Sequence, residues 1–409
     1  MIGELLLSAA VAVVPDEVEL AAKLPEVFAR SAAHYRALDA VATPLMRDSA
    51  GGLRIPHGVV RGNAGKIELD MRSIFWWTAG HYPGSLWYLY EISGDAFFRE
   101  RAKAWTEVLE PVKTVSKHDV GFMIFCSYGN AARIERTDRY DAILMTAANT
   151  LCGRYDDGMG LIRSWGQVSD RNEFLVIPDN LMNLELLMWA GRHGDKRSVE
   201  IAKSHADITS RHHFDREGGC HHVLNYDQRH GFRGRVQEIR RGQGLSCETA
   251  WSRGQSWSIY GYTMMYRETR ERRYLDFAQK LADYAIGHPN MPEDGIPYWD
   301  YGAREEERDS SAGAIMASAL LELAGFVGSE KGADYLSFAV KQLRSLVSDA
   351  YFSRGDEIGH FLLKHGVGHK PAGSEIDTPL NYGDYYFLEA LLRFKERGWA
   401  LQNACKRGA

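Results

Sequence analysis

Six apolar and aromatic stretches, each about four helical turns long, begin near Gly80, Asp119, Asp179, Gly254, Ser311 and Gly383. Five of them are followed by a stretch with apolar residues on one side only, near 97–113, 137–152, 197–211, 273–287 and 331–350, and a sixth one-sided stretch precedes them all near 17–39. The breaks between partners fall at polar or glycine turns such as Ser93-Gly94-Asp95, Thr137-Asp138, His193-Gly194-Asp195, Arg270-Glu271 and Gly328-Ser329-Glu330. A repeated helical hairpin constrains architecture more tightly than any single motif, because each copy must bury its apolar face against its neighbours. Helices apolar on every side belong inside and one-sided partners outside. The pattern predicts an all-α fold, an (α/α)6 barrel or six-hairpin toroid, with stretch 17–39 pairing with the last inner helix to close the circle. Residues 1–409 then form one domain, with helix over half the chain or more, above the usual third.

Composition is that of an ordinary globular protein, 45% hydrophobic and 25% charged. With 49 Lys and Arg against 54 Asp and Glu, the net charge of −5 offers no global basic field for nucleic acid or an anionic membrane. Cysteines 126, 152, 220, 247 and 405 have no metal-type or redox-type spacing and read as reduced thiols. The apolar start, Met1 to Pro15, carries Glu4 and no Lys or Arg, unlike a secretory leader. The expected address is the cytoplasm, with the periplasm as the alternative. No apolar run approaches the roughly 20 residues that cross a bilayer.

Residues with chemical potential cluster in the turns leading into inner helices: Trp76-Trp77-Thr78, His118-Asp119, Asp179-Asn180, Trp251-Ser252-Arg253, Arg308-Asp309-Ser310 and Asn381-Tyr382. In a ring of parallel inner helices these turns share one mouth, where the positive ends of six helix dipoles favour an anionic ligand. Asp before a helix is also a common N-cap. Asp119 and Asp179, however, occupy equivalent places on adjacent inner helices. Paired carboxylates in unlike environments are the usual equipment for cleaving glycosidic bonds.

His118 and the pair His221-His222 lack a third ligand at metal spacing and suit hydrogen bonding to sugar hydroxyls or a carboxylate better. The run Gly218 to Tyr226 reads as a hairpin strand at the mouth that turns one His inward. Trp76, Trp77, Trp165, Trp251 and Trp257, with Gln243, Arg253 and Gln255, have the apolar walls and sparse polar groups of a carbohydrate site. Arg253 suits a substrate carboxylate through its bidentate fork, or else makes a structural ion pair.

These residues resemble the unsaturated glucuronyl hydrolases, glycoside hydrolase family 88, over nearly the whole chain. The resemblance rests on Trp77-Thr78-Ala79-Gly80-His81-Tyr82-Pro83-Gly84, His118-Asp119-Val120-Gly121-Phe122, Asp179-Asn180-Leu181-Met182-Asn183, Trp251-Ser252-Arg253-Gly254-Gln255-Ser256-Trp257, Arg308-Asp309-Ser310-Ser311-Ala312 and Tyr382-Gly383-Asp384-Tyr385-Tyr386. It implies Asp179 as general acid and base, and Asp119 as the residue that holds ring hydroxyls and tunes it. It also implies His118, His222, Gln243, Arg253 and Trp257 in the substrate pocket, which Trp76, Trp77, Trp251 and Lys370 complete. The implied substrate is an oligosaccharide capped by a 4,5-unsaturated uronic acid, acted on by a monomer or weak homodimer without metal or organic cofactor. Asp179 protonates C4 of the vinyl ether, water adds at C5, and the hydrated sugar opens to release the rest.

Three features depart from the family pattern. Pro178 stands where an aliphatic residue is usual, Leu245 where an aromatic is common, and Lys364 to Lys370 fall where relatives meet the second sugar and its sulfate. Lys364, His369 and Lys370 either meet a sulfate or cap a loop. The rival readings are an unsaturated galacturonyl or rhamnogalacturonyl hydrolase, which lacks the stretch around Asp119, a sugar epimerase on the same barrel, which needs His pairs at the helix ends, and a glycan-binding module, which leaves both Asp residues without work.

Overall fold

The computed structural model describes residues 15–407 apart from 63–64 and 305, with side chains through 398. The expectation about the first residues falls outside them, as does the side chain of Cys405. In chain order the helices are α1 (Pro15–Ala42), α2 (His81–Ser93), α3 (Ala96–Glu107), α4 (Asn130–Glu135), α5 (Asp138–Cys152), α6 (Asn180–Arg192), α7 (Lys196–His212), α8 (Ser252–Thr269), α9 (Arg272–Gly287), α10 (Ser310–Leu323), α11 (Ser329–Leu346) and α12 (Asn381–Arg407). A π-helical stretch, Gly121–Gly129, runs directly into α4 and makes one inner rod with it.

The inner rods touch in sequence, α2 to the π-helix, then α6, α8, α10, α12 and back to α2. The ring is closed. The first five are each clad by the outer helix that follows in the chain, and α1 packs on α2, α11 and α12, which is the expected pairing of the first and last stretches. Burial follows the sequence pattern: every residue of α8 from Ser252 to Met265 is buried, whereas α9 buries Tyr274, Leu275, Ala278, Leu281, Ala282 and Ala285 along one stripe. Close approach of inner rods needs glycine. A Cβ on Gly261 would fall 2.5 Å from that of Leu181, so α8 and α6 meet backbone to side chain. The outer helices carry conventional caps, in which Asp95, Thr137 and Asp195 accept N–H bonds from Phe97, Tyr140 and Ser198, each worth about 1 kcal/mol.

Small strands decorate the mouth. β1 (Arg54–Arg61) and β2 (Ile67–Ser73) form an antiparallel hairpin, β3 (Tyr155–Asp156) pairs with β4 (Leu161–Ile162), and β5 (Leu175–Val176), β6 (Val223–Tyr226) and β7 (Val236–Arg240) make a three-stranded sheet. The strand expected over 218–226 is thus shorter. Its first half is held as a loop, because Asp215 accepts the N–H groups of Gly218 and Gly219 at 2.7 Å each. At the opposite end of the ring, Arg267 pairs with Glu185, Glu268 and Glu322, and Arg393 with Glu322 and Glu389. These half-buried charges form an ion-pair network across that end of the ring.

Candidate active site

Asp179 occupies the N-cap position of α6, yet its carboxylate makes no bond to the helix, because its backbone is already helical (φ −52°, ψ −28°). Asp309, before α10, is extended and does cap, with Oδ1 accepting from Ser311 N at 3.0 Å and Ala312 N at 3.3 Å. The capping role therefore belongs to Asp309, and Asp179 is left free for chemistry. Its residue is 8% exposed, and Oδ2 is buried without a protein partner.

The turn carrying Asp119 is tied to the same helix. Asn183, one turn into α6, accepts the Phe122 N–H at 2.7 Å, and Gly121 lies so near that a Cβ would fall 2.4 Å from Asn183 Oδ1. Arg154, 3% exposed, donates to the carbonyls of Ser116, Arg163, Ser164 and Gly166, stitching this turn to the segment that carries Trp165. Asn180 donates to Ile162 O at 3.0 Å and fixes the start of α6 from the other side. Two carboxyls far apart in sequence are held at one place by amide and guanidinium bonds. Asn183 and Arg154 escaped the sequence reading as functional residues, although Asn183 stands in the quoted Asp179 motif.

Electrostatics separate the groups by role. Burial pushes the Asp179 carboxyl up to about 7, with the Asp119 charge adding to the rise and Arg253 opposing it. Asp119 is also pushed up to about 7 by burial, against the pull of Lys117 and Arg154. His118 Nε2 lies 3.2 Å from Asp119 Oδ1, and burial, helped by Arg154, lowers its imidazole to about 3. His222 is held well below its ordinary value by burial and by Arg253. Both rings are neutral at physiological pH. Carboxyls raised into the neutral range beside neutral imidazoles suit acid and base work at neutral pH.

His222 Nδ1 accepts the Gln243 N–H at 2.7 Å, which places its proton on Nε2, 3.9 Å from Asp179 Oδ2. The ring stacks on Trp251 at 4.3 Å and meets the edge of Trp165 at 5.8 Å. Trp77 packs against Phe122 and Tyr382, and Trp257 against Phe122 and Tyr386, so indoles from the starts of α2 and α8 join the rings at the starts of the π-helix and α12 in one aromatic cluster. Trp76 stands at the rim, 37% exposed. Asp179 Oδ2, His222 Nε2, Arg253 Nε and Trp257 Nε1 are all buried without a protein partner. Leaving such atoms unpaired costs about 1–3 kcal/mol each, and a ligand rich in hydroxyls recovers it.

Three expected groups are engaged otherwise. Gln255 spends its side chain on backbone, accepting from Cys220 N and donating to Gly218 O and Leu281 O, and takes no part in the cavity. Arg253, 1% exposed, donates from Nη1 to Asp309 Oδ2 at 3.3 Å and to Val367 O, and from Nη2 to Gly368 O at 2.8 Å and Gln243 Oε1 at 3.3 Å. It lies over Trp251 at 4.3 Å. Its outer fork is therefore built into the site, leaving Nε and the charge itself. Lys370 is held by Glu306 and Glu307. Among the described residues, no group of three or more His, Cys, Asp or Glu side chains is arranged to hold a metal ion, and no helix is long and apolar enough to cross a membrane.

A closed ring of helix pairs with acid–base chemistry and indole walls at one mouth is the arrangement of glycan-cleaving (α/α)6 enzymes. No protein-family model matches the chain. The chain is 41% identical over 323 residues to an unsaturated glucuronyl hydrolase of Formosa agariphila, covering 78% of this chain and 79% of that one. It is 33% identical over 359 residues to the unsaturated glucuronyl hydrolase of Bacillus sp. strain GL1, covering 85% and 92%. A solved unsaturated glucuronyl hydrolase specific for heparin superposes with a TM-score of 0.81 at 40% identity, over 91% of this chain and 97% of that one. The chain belongs to the unsaturated glucuronyl hydrolase family.

Proposed function

We propose that the protein releases 4,5-unsaturated glucuronic acid from the non-reducing end of lyase-made oligosaccharides by hydrating the C4=C5 bond. The observation that carries this reading is the Asp119 and Asp179 pair, both raised to about 7 by burial, with Asp179 Oδ2 unpartnered beside the Nε2–H of a neutral His222. Protonated Asp179 gives its proton to C4. Positive charge develops at C5 and the ring oxygen, water adds at C5, and the Asp179 carboxylate takes the proton that water loses. One water is consumed, and the resulting hemiketal opens and expels the remaining chain. Asp119 and His118 hold ring hydroxyls, and the Asp119 charge keeps Asp179 protonated near neutral pH.

Arg253 contributes a fixed positive charge and one N–H toward the substrate carboxylate, with Gln243 aligned by the same guanidinium. Trp77 and, at the rim, Trp76 offer the apolar faces on which a pyranose ring packs, while the buried Trp251 and Trp257 back the site from beneath. Lys370 reaches a second sugar only by leaving Glu306 and Glu307. The test is incubation with unsaturated uronyl disaccharides while following the ultraviolet absorbance of the conjugated double bond. Its loss with release of a reducing sugar supports the reading, and unchanged absorbance contradicts it.

A further inference from the structure

Outside the groups just described, one buried cluster joins three separate segments of the mouth. His57 on β1, 1% exposed, has Nδ1 2.9 Å from Thr78 Oγ1 and Nε2 2.9 Å from Glu375 Oε1. Since a carboxylate only accepts, His57 donates from Nε2, and its Nδ1 pairs with the Thr78 hydroxyl. Arg72 on β2 lies 3.6 Å from the same Glu375 oxygen, with its guanidinium 5.2 Å above the Trp76 ring. The Glu375 carbonyl accepts the Gly368 N–H at 2.6 Å, and Gly368 and Val367 supply the two carbonyls that hold Arg253.

The fit around Glu375 is tight. Its backbone is left-handed at φ 54°, and a Cβ on Gly368 would fall 1.9 Å from Glu375 Oε2. Such a conformation persists in a residue other than glycine only when its surroundings hold it. Here they are the His57 bond and the backbone pairing of segment 366–378, in which Gly366 and Thr378 exchange N–H bonds at 2.9 and 3.0 Å.

The geometry points to Glu375 as a positioning residue: through His57 and Gly368 it fastens the β1–β2 hairpin, the Trp76-Trp77-Thr78 turn and the carbonyl cradle of Arg253 into one unit. It touches no reacting atom. Its contribution is to keep the guanidinium that meets the uronate carboxylate, and the indoles beside it, in their bound positions before substrate arrives. Losing it weakens binding more than it slows the proton transfer at Asp179.

The kinetic readout rests on the uronyl hydrolase reading, so wild-type turnover of an unsaturated uronyl disaccharide is measured first, and the variants are judged against it. Glu375→Ala is expected to raise KM about tenfold or more with kcat within about threefold of wild type. Glu375→Gln keeps an acceptor for His57 Nε2–H and restores KM to within about threefold. The pair His57→Ala and Glu375→Ala together is expected to cost no more than the worse single change, because both break the same unit. Hydrogen exchange needs no substrate: Glu375→Ala speeds amide exchange in 54–61 and 364–378, and Glu375→Gln leaves it unchanged. Unchanged KM in Glu375→Ala, a loss confined to kcat, additive losses in the pair, or unaltered exchange in both segments overturns the assignment. Wild-type inactivity alone overturns the functional reading, and exchange then decides the fate of Glu375.

Discussion

His222 turns Nε2 toward Asp179 Oδ2 across 3.9 Å while its Nδ1 accepts the Gln243 N–H at 2.7 Å. The backbone bond selects the tautomer, and stacking on Trp251 at 4.3 Å selects the ring plane. A neutral donor is thereby aimed at the space beside the acid, where it can hold a hydroxyl or a water without surrendering a proton. Replacing His222 by Ala removes that donor but no charge. The expected result is a fall in kcat/KM of about 10 to 100-fold with the pH profile kept. A profile displaced by a full unit contradicts a role without charge.

Asp179→Asn is expected to lower kcat by about 100-fold or more, since the amide fits the space but delivers no proton. Stability moves the other way. A carboxyl raised to about 7 on folding, against about 3.9 in the unfolded chain, favours the folded state below the unfolded value and loses that benefit as pH rises through 7. The uncharged amide escapes this loss. The variant is therefore expected to melt higher than wild type at pH 8, by on the order of 2 kcal/mol, with the gap closing toward pH 4. Equal melting at both pH values removes the claim that burial strains this group.

Asp119→Asn removes a negative charge that raises the pKa of its neighbour. Asp179 then gives up its proton at lower pH, so the alkaline limb of the kcat profile, expected near 7 in wild type, shifts toward acid. Rate against pH from 4 to 9 checks this. An alkaline limb that stays in place, with only weaker binding, would leave Asp119 as a hydroxyl ligand alone.

Arg253→Ala both removes a charge from the carboxylate site and strands Asp309, which is fully buried. Binding of the free acid is expected to weaken by about 1.5–3 kcal/mol, and the protein to lose stability as well, because breaking one partner of a buried pair leaves the other uncompensated. Comparing KM for the free acid and its methyl ester isolates the first effect. Equal losses on both substrates would restrict Arg253 to holding Asp309, Val367 and Gly368.

The barrel was legible because burial on all sides and burial on one side leave different periodicities, and the turns between them are marked by Gly94, Gly194 and the caps Asp95, Thr137 and Asp195. The mouth was legible only in part. Asp179 and Asp309 both precede inner helices, and the backbone conformation, helical at one and extended at the other but invisible in residue types, decides which of them caps. Gln255 sits in a motif full of site residues, yet the side of α8 it occupies faces backbone carbonyls. The partners of Arg253 arrive from residues 309, 367 and 368, so its engaged fork is a tertiary fact. The β1–β2 hairpin went unread although Ile55, Val59 and Val60 between glycine-rich turns carry a strand signal, and with it went His57 and Glu375.

If Asp179 protonates carbon rather than the glycosidic oxygen, the proton it delivers stays in the product. With the reaction run in heavy water and the product read by NMR, one deuterium is expected at C4, on a single face, because a carboxyl fixed at the start of α6 reaches the bound ring from one side only. Saturated glucuronides remain intact and thioglycosides of the unsaturated acid react. Product without deuterium at C4, or cleavage of saturated glucuronides with inert thioglycosides, rules out protonation of carbon by Asp179.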